Sequence, residues 1–183
     1  MQSHHQKFRI SAYVAEFIKL SSFSTQSAKL LFALIFLQGQ TDEGWPTIFD
    51  AGFEPSNNFT FVSQLRELGF PTKTGSSRFL RKPVAELIAI SGIFDHLEIA
   101  DTGRYLNWRF SDSFFEVMSD MDIYALIDAA EIELCQSKFG GAMLAQIALH
   151  RKKRLPEFSL IAPNKGYTTG VATAPLAHIP SQI

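Results

Sequence analysis

The residues best suited to chemistry in this chain are cations, and they cluster. Ser76 to Leu87 reads SSRFLRKPVAEL, so Arg78, Arg81 and Lys82 open an apolar pattern just ahead of, or beside, Pro83. Guanidinium and ammonium groups grouped in this way bind phosphate, and phosphate contacts supply the sequence-independent part of nucleic-acid binding. From Arg66 to Lys82 five cations, Lys73 among them, stand against the single carboxylate Glu67. From Ser111 to Ser137 the balance reverses, with Asp112, Glu116, Asp120, Asp122, Asp128, Glu131 and Glu133 and no Lys or Arg. The net charge of −1 is thus two opposed segments cancelling, which permits one basic face on a chain that is not basic overall. Further cations are Arg104 and Arg109, and the run Arg151, Lys152, Lys153 and Arg154. That run has a competing explanation, because cations at a helix C-terminus stabilise the helix itself.

No catalytic constellation accompanies them. His4, His5, His96, His150 and His178 are not spaced from one another, or from the lone cysteine Cys135, as metal ligands are. A phosphate-binding glycine loop, GxSxG and HExxH are all missing from the sequence. FGGAML reads as a helix break, and Cys135, on a helical pattern with Ile132, as a small apolar residue. The carboxylates from Asp112 to Glu133 read as a solvated helix face rather than an acid/base pair. The expectation is a protein that is no enzyme and takes no cofactor and no metal.

The elements that must position the cations follow from periodicity. Ser24 is a good N-cap for a buried helix to about Gln38, stopped by Gly39. Phe8 to Leu20 fits a strand or an irregular arm. A short helix around Pro46 to Ala51 and another from about Ser56 to Leu68 are predicted, the latter with Phe61, Leu65 and Leu68 at helical spacing. Proline is harmless only in a first turn, so the basic helix should begin near Leu80. Leu80, Val84, Leu87 and Ser91 then form its inner side, with Arg81 and Lys82 opposite and Arg78 just ahead. Cations at a helix N-terminus oppose the helix dipole, whereas an anion bound there would meet both the cations and free backbone N–H groups.

HLEIADTGRYLNWRF carries the clearest hairpin signal: Leu97 and Ile99 alternate before Asp101-Thr102-Gly103, and Leu106, Trp108 and Phe110 after it. Arg104 sits at its tip, with Tyr105, Asn107 and Arg109 on the opposite face. Asp120 should cap a helix from Met121 to about Lys138, broken by Gly140-Gly141. A last helix, Ala142 to Arg154, should turn Leu144, Ile147 and Ala148 inward.

At 183 residues and 46% hydrophobic, the chain can build one sizeable core, expected at residues 23–158 between an N-terminal arm or strand, 1–22, and a tail, 159–183. One cysteine allows no internal disulfide, and MQSHHQKFRI lacks the apolar run of a signal peptide, which favours a cytoplasmic setting. AKLLFALIFL is too short to span a bilayer, so no membrane partner is expected.

Helix, helix, helix, hairpin is the order of a winged helix, and the chain resembles the winged-helix domains of plasmid replication initiator (Rep) proteins. Four segments carry the resemblance: FSTQSAKLLFALIFL, FLRKPVAELIAISGIFDHLEI, RYLNWRFSDSFFEVM and MDIYALIDAAEIELCQSKFGGAMLAQIALHRKK. It covers roughly Phe23 to Lys153 and is one of pattern and order. Such initiators usually carry two winged-helix domains, the second making the principal sequence-specific contacts and the first serving dimerisation and auxiliary contacts. Only the first is matched, with LPEFSLIAPNKG where a second would begin.

The fold expected is therefore α+β, a winged helix with a helical core, a β-hairpin wing and additional C-terminal helices. The function expected is binding of double-stranded DNA, in replication initiation or transcription regulation. Lys73, Arg78, Arg81, Lys82, Arg104, Arg109, Arg151, Lys152, Lys153 and Arg154 are the candidate contacts. The alternative is a winged helix used for protein contact, as a homodimer or in a larger assembly, through the acidic segment or the C-terminal tail.

Overall fold

Two short antiparallel sheets and a buried helix between them organise the computed structural model, which describes residues 6–21, 23–41, 45, 56–70, 76–119, 122–137, 139–151 and 153–154. In chain order the elements are β1 (Lys7–Ser11), α1 (Ala12–Leu20), α2 (Thr25–Gln38), β2 (Asn58–Phe61), α3 (Val62–Glu67), α4 (Arg78–Ile88), β3 (Phe94–Ile99), β4 (Tyr105–Phe110), α5 (Asp112–Ser119), β5 (Tyr124–Asp128), a 3₁₀ helix (Ala129–Leu134) and α6 (Gly140–His150). The fold class is mixed α+β with small antiparallel sheets.

α2 starts where the sequence places it. The Ser24 hydroxyl accepts from the Ser27 N–H, and Leu30 through Phe36 are all buried. A helix apolar on every side must be enclosed, and elements pack around it from both halves of the chain. Even Lys29 is buried, its ammonium donating to the carbonyls of Gly69 at 3.4 Å and Glu133 at 3.2 Å, which ties the segment after α3 to the 3₁₀ helix.

The three-stranded sheet has the order β2-β4-β3. Its hairpin is the expected one, with Leu97, Leu106, Trp108 and Phe110 buried and Leu97 opposite Trp108. The third strand was not expected. Residues 58–61 form β2 rather than the start of a helix, because Asn58-Phe59-Thr60-Phe61 alternates: Thr60 is buried while Phe59 and Phe61 face out. Only Val62–Glu67 is helical, and of the three apolar residues read there Leu65 is fully buried.

α4 begins at Arg78, two residues ahead of the expected start, so Pro83 lies inside the helix rather than in its first turn. The missing N–H leaves the Phe79 carbonyl without its helical partner. Burial of Leu80, Pro83, Val84 and Leu87 in one stripe offsets that loss. The stripe ends there, since Ser91 lies beyond the helix and is exposed.

The two-stranded sheet pairs β1 with β5, Phe8 opposite Ile127 and Ile10 opposite Ala125. β1 resolves the choice for the first segment in favour of a strand, and α1 follows it, capped by Ser11. β5 and the 3₁₀ helix replace the single helix expected from Met121 to Lys138. Asp128 accepts from the Ala130 N–H at 3.0 Å while Glu131 reaches back to the Asp128 N–H at 3.0 Å, a local capping pair that uses two carboxylates as structure.

Gly140 and Gly141 open α6 instead of breaking the chain. A Cβ on Gly141 would stand 2.6 Å from the Ala28 Cβ, so the absence of a side chain is what lets α6 reach α2. Gly141, Ala145 and Ala148 form the buried face, and Ile147, expected inward, is exposed. α6 ends at His150, four residues short of the expected end. The expected helix at 46–51, the cap Asp120 and the tail 159–183 lie outside the described residues.

Candidate nucleic-acid interface

Three chain segments meet at the start of α4. The β3–β4 turn closes with the Gly103 N–H on the Ala100 carbonyl at 2.7 Å and needs the left-handed backbone that glycine adopts freely, φ 64°. That turn lies against α4, where a Cβ on Gly103 would be 2.8 Å from the Ser77 Oγ. The Arg104 carbonyl in turn accepts from the Val62 N–H at 2.9 Å, so the hairpin tip also fixes the start of α3. Arg66, on α3, supports the approach to α4, its guanidinium 5.8 Å from the Phe79 ring centroid and an Nη2 donating to the Ser76 carbonyl.

Around this junction Arg78, Arg81, Lys82 and Arg104 are all exposed. The Lys82 side chain is 82% exposed and lies 3.8 Å from Glu86, a weak pairing. Glu86 is engaged elsewhere, accepting from the Ser24 N–H and the Ser27 hydroxyl at the start of α2. Burial pushes its carboxyl pKa up, but those hydrogen bonds, with Lys82, outweigh it and hold the carboxyl below its usual value. Arg81 borders a groove of about 460 Å³ between α4 and β3, floored by Val84, Ala85, Ile88 and Ile99.

The remaining candidates do not join this cluster. Arg109 lies on the outer face of β4, its Nε 3.7 Å from Asp95 and, although buried, without a hydrogen bond. Arg151 caps α6, which packs on α1, α2 and β5, with Lys153 and Arg154 exposed just after it. Lys73 and Lys152 lie outside the described residues.

The outer sheet face carries groups that the sequence reading passed over. Phe59 is 63% exposed and Phe61 46%, and with Tyr105 they form a ring cluster: Phe61 to Tyr105 4.9 Å, Phe59 to Tyr105 6.0 Å, Phe59 to Phe61 6.3 Å. The alternation in NFTF was the available signal. Cys135 is buried, and burial, offset in part by Lys29, raises its thiol pKa to about 11, so it is a neutral thiol at pH 7. Among the described residues no group of three or more His, Cys, Asp or Glu is placed to hold a metal ion, and no helix is long and apolar enough to cross a membrane.

Comparison with protein-family models, with curated proteins and with solved structures finds no match for the chain.

Proposed function

We propose that the protein is a non-enzymatic, winged-helix DNA-binding module, serving replication initiation or transcription regulation in the cytoplasm. The element order α2, β2, α3, α4, β3, β4, with sheet order β2-β4-β3, supports the winged-helix reading. In that reading α4 is the groove-facing helix and the β3–β4 hairpin the wing. One observation carries the function: Arg78, Arg81 and Lys82 are exposed on a helix start against which the Arg104-bearing turn is packed. Four cations presented by two adjoining elements suit a phosphate backbone, and none of them holds up the core.

The test is fluorescence anisotropy of the protein with random duplex DNA across a salt series. Arg81→Ala with Lys82→Ala should weaken binding to all sequences and flatten the log–log salt dependence by about one to two units. Unchanged binding removes α4 from the interface, and no binding even at low salt refutes the proposal. A protein-contact role is the second reading, favoured by the exposure of Phe59 and Phe61.

A further inference from the structure

We infer that the outer face of the three-stranded sheet binds single-stranded DNA, with Phe59, Phe61 and Tyr105 as base-stacking surfaces and Arg109 as a backbone contact. The inference goes beyond the duplex reading and rests on it in one respect: the preference for DNA over RNA.

Three rings within 4.9–6.3 Å of one another on one sheet face, two of them largely open to solvent, are the arrangement on which successive unpaired bases stack. The register keeps them there, with Phe61 opposite Tyr105 and Phe59 opposite Asn107. Beside Phe59 is a depression of about 410 Å³, lined also by Asn57, Asn58, His96, Asn107 and Arg109. No carboxylate lines it. Amides supply both donors and acceptors for base edges, and the buried Arg109 Nε lacks a hydrogen-bond acceptor, which a phosphate or base oxygen would provide. The carboxylates nearby are already matched to cations at the margin, Asp95 to Arg109 at 3.7 Å and Glu98 to His96 at 3.3 Å. The cationic, carboxylate-free lining favours a polyanion over a protein partner. Arg104, at the hairpin end beside Tyr105, extends the cationic character past the rings.

The experiment measures anisotropy of the full chain, at low salt, with fluorescein-labelled oligo-dT of about a dozen nucleotides, oligo-rU of equal length and random duplex. Phe59→Ala with Phe61→Ala should lower oligo-dT affinity by about tenfold or more and leave duplex binding unchanged. Arg81→Ala with Lys82→Ala should do the reverse. Circular dichroism checks that both variants fold, and Phe59→Ala alone, at the more exposed ring, provides a milder version. Wild-type binding of oligo-dT by the Phe variants, or none by the parent protein, overturns the inference. Tighter binding of oligo-rU overturns the choice of DNA. A dimer in sedimentation velocity that the Phe variants disperse, without oligo-dT binding, assigns the face to a second copy and also overturns it. Loss of the duplex arm alone refutes the duplex reading and leaves the stacking face standing.

Discussion

The three-stranded sheet takes β3 and β4 from one hairpin, closed by residues 100–104, whereas the two-stranded sheet sets Lys7 opposite Asp128, nearly the whole described chain apart. Both are antiparallel and both bury an apolar face against α2 and its neighbours. The hairpin closes a short loop and gains its cross-strand contacts at once. The β1–β5 pair must close a loop that contains every other sheet strand, and closure entropy is lost before any contact repays it. The exposed cations of α4 and the aromatic face therefore sit on the locally determined sheet, and the distant pair acts as a clasp around the core.

The largest effects separate the two sheets kinetically. Phe8→Ala, in the clasp, removes ring contacts to Phe32 at 6.4 Å and Phe36 at 5.7 Å and should cost about 3–5 kcal/mol in urea unfolding. Leu106→Ala, in the hairpin, should cost about 2–5 kcal/mol. Similar losses should divide differently between rates: Leu106→Ala mainly slows folding and Phe8→Ala mainly speeds unfolding, as chevron plots would register. An equal division would mean that both sheets form together, and the distinction between local frame and late clasp would fail.

The same distinction explains what the sequence made legible. α2 was readable because Ser24 and AKLLFALIFL are adjacent, and the hairpin because Gly103 lies between two alternating runs. β5 was not, because the partner that makes Tyr124–Asp128 a strand is β1, and an apolar run alone fits a helix as well. β2 was missed because it is four residues long and runs directly into α3, so Phe61 fell by coincidence at helical spacing with Leu65. The charge pattern around Arg78, Arg81 and Lys82 was plain. That Arg109 belongs to another face, beside exposed rings, depends on where β2 lies, and no local pattern carried that.

A smaller effect sharpens the comparison within the clasp half. If α6 reaches α2 only because Gly141 has no side chain, Gly141→Ala should overpack the contact with Ala28 and cost about 1–3 kcal/mol by urea or thermal unfolding. The opposing atom is a methyl carbon with no rotamer to retreat into, so relief requires helix movement. A neutral outcome would show that α6 slides on α2 without penalty, and the clasp half would be less tightly specified than its buried glycine implies.

Glu86 gives the smallest effect and tests how α4, on the hairpin side, is joined to the shared helix. Its carboxylate accepts from Ser24 and Ser27 at the positive end of the α2 dipole, so Glu86→Gln should cost about 0.3–1 kcal/mol at neutral pH. The sign with pH follows from the shift. Burial raises this carboxyl pKa, the Ser24 and Ser27 hydrogen bonds and Lys82 lower it further than burial raises it, and the folded value ends below the ordinary one. The stabilisation is therefore complete above the unfolded pKa, about 4.3, and is lost as pH falls through the lower folded value. Parent and Glu86→Gln stabilities, measured in urea from pH 7 downward, should converge in that acidic window. A gap that does not change with pH would mean that hydrogen-bond shape, rather than charge, joins α4 to α2. In that case the exposed Lys82 gains nothing from Glu86, and its position at the start of α4 needs a partner from outside the chain.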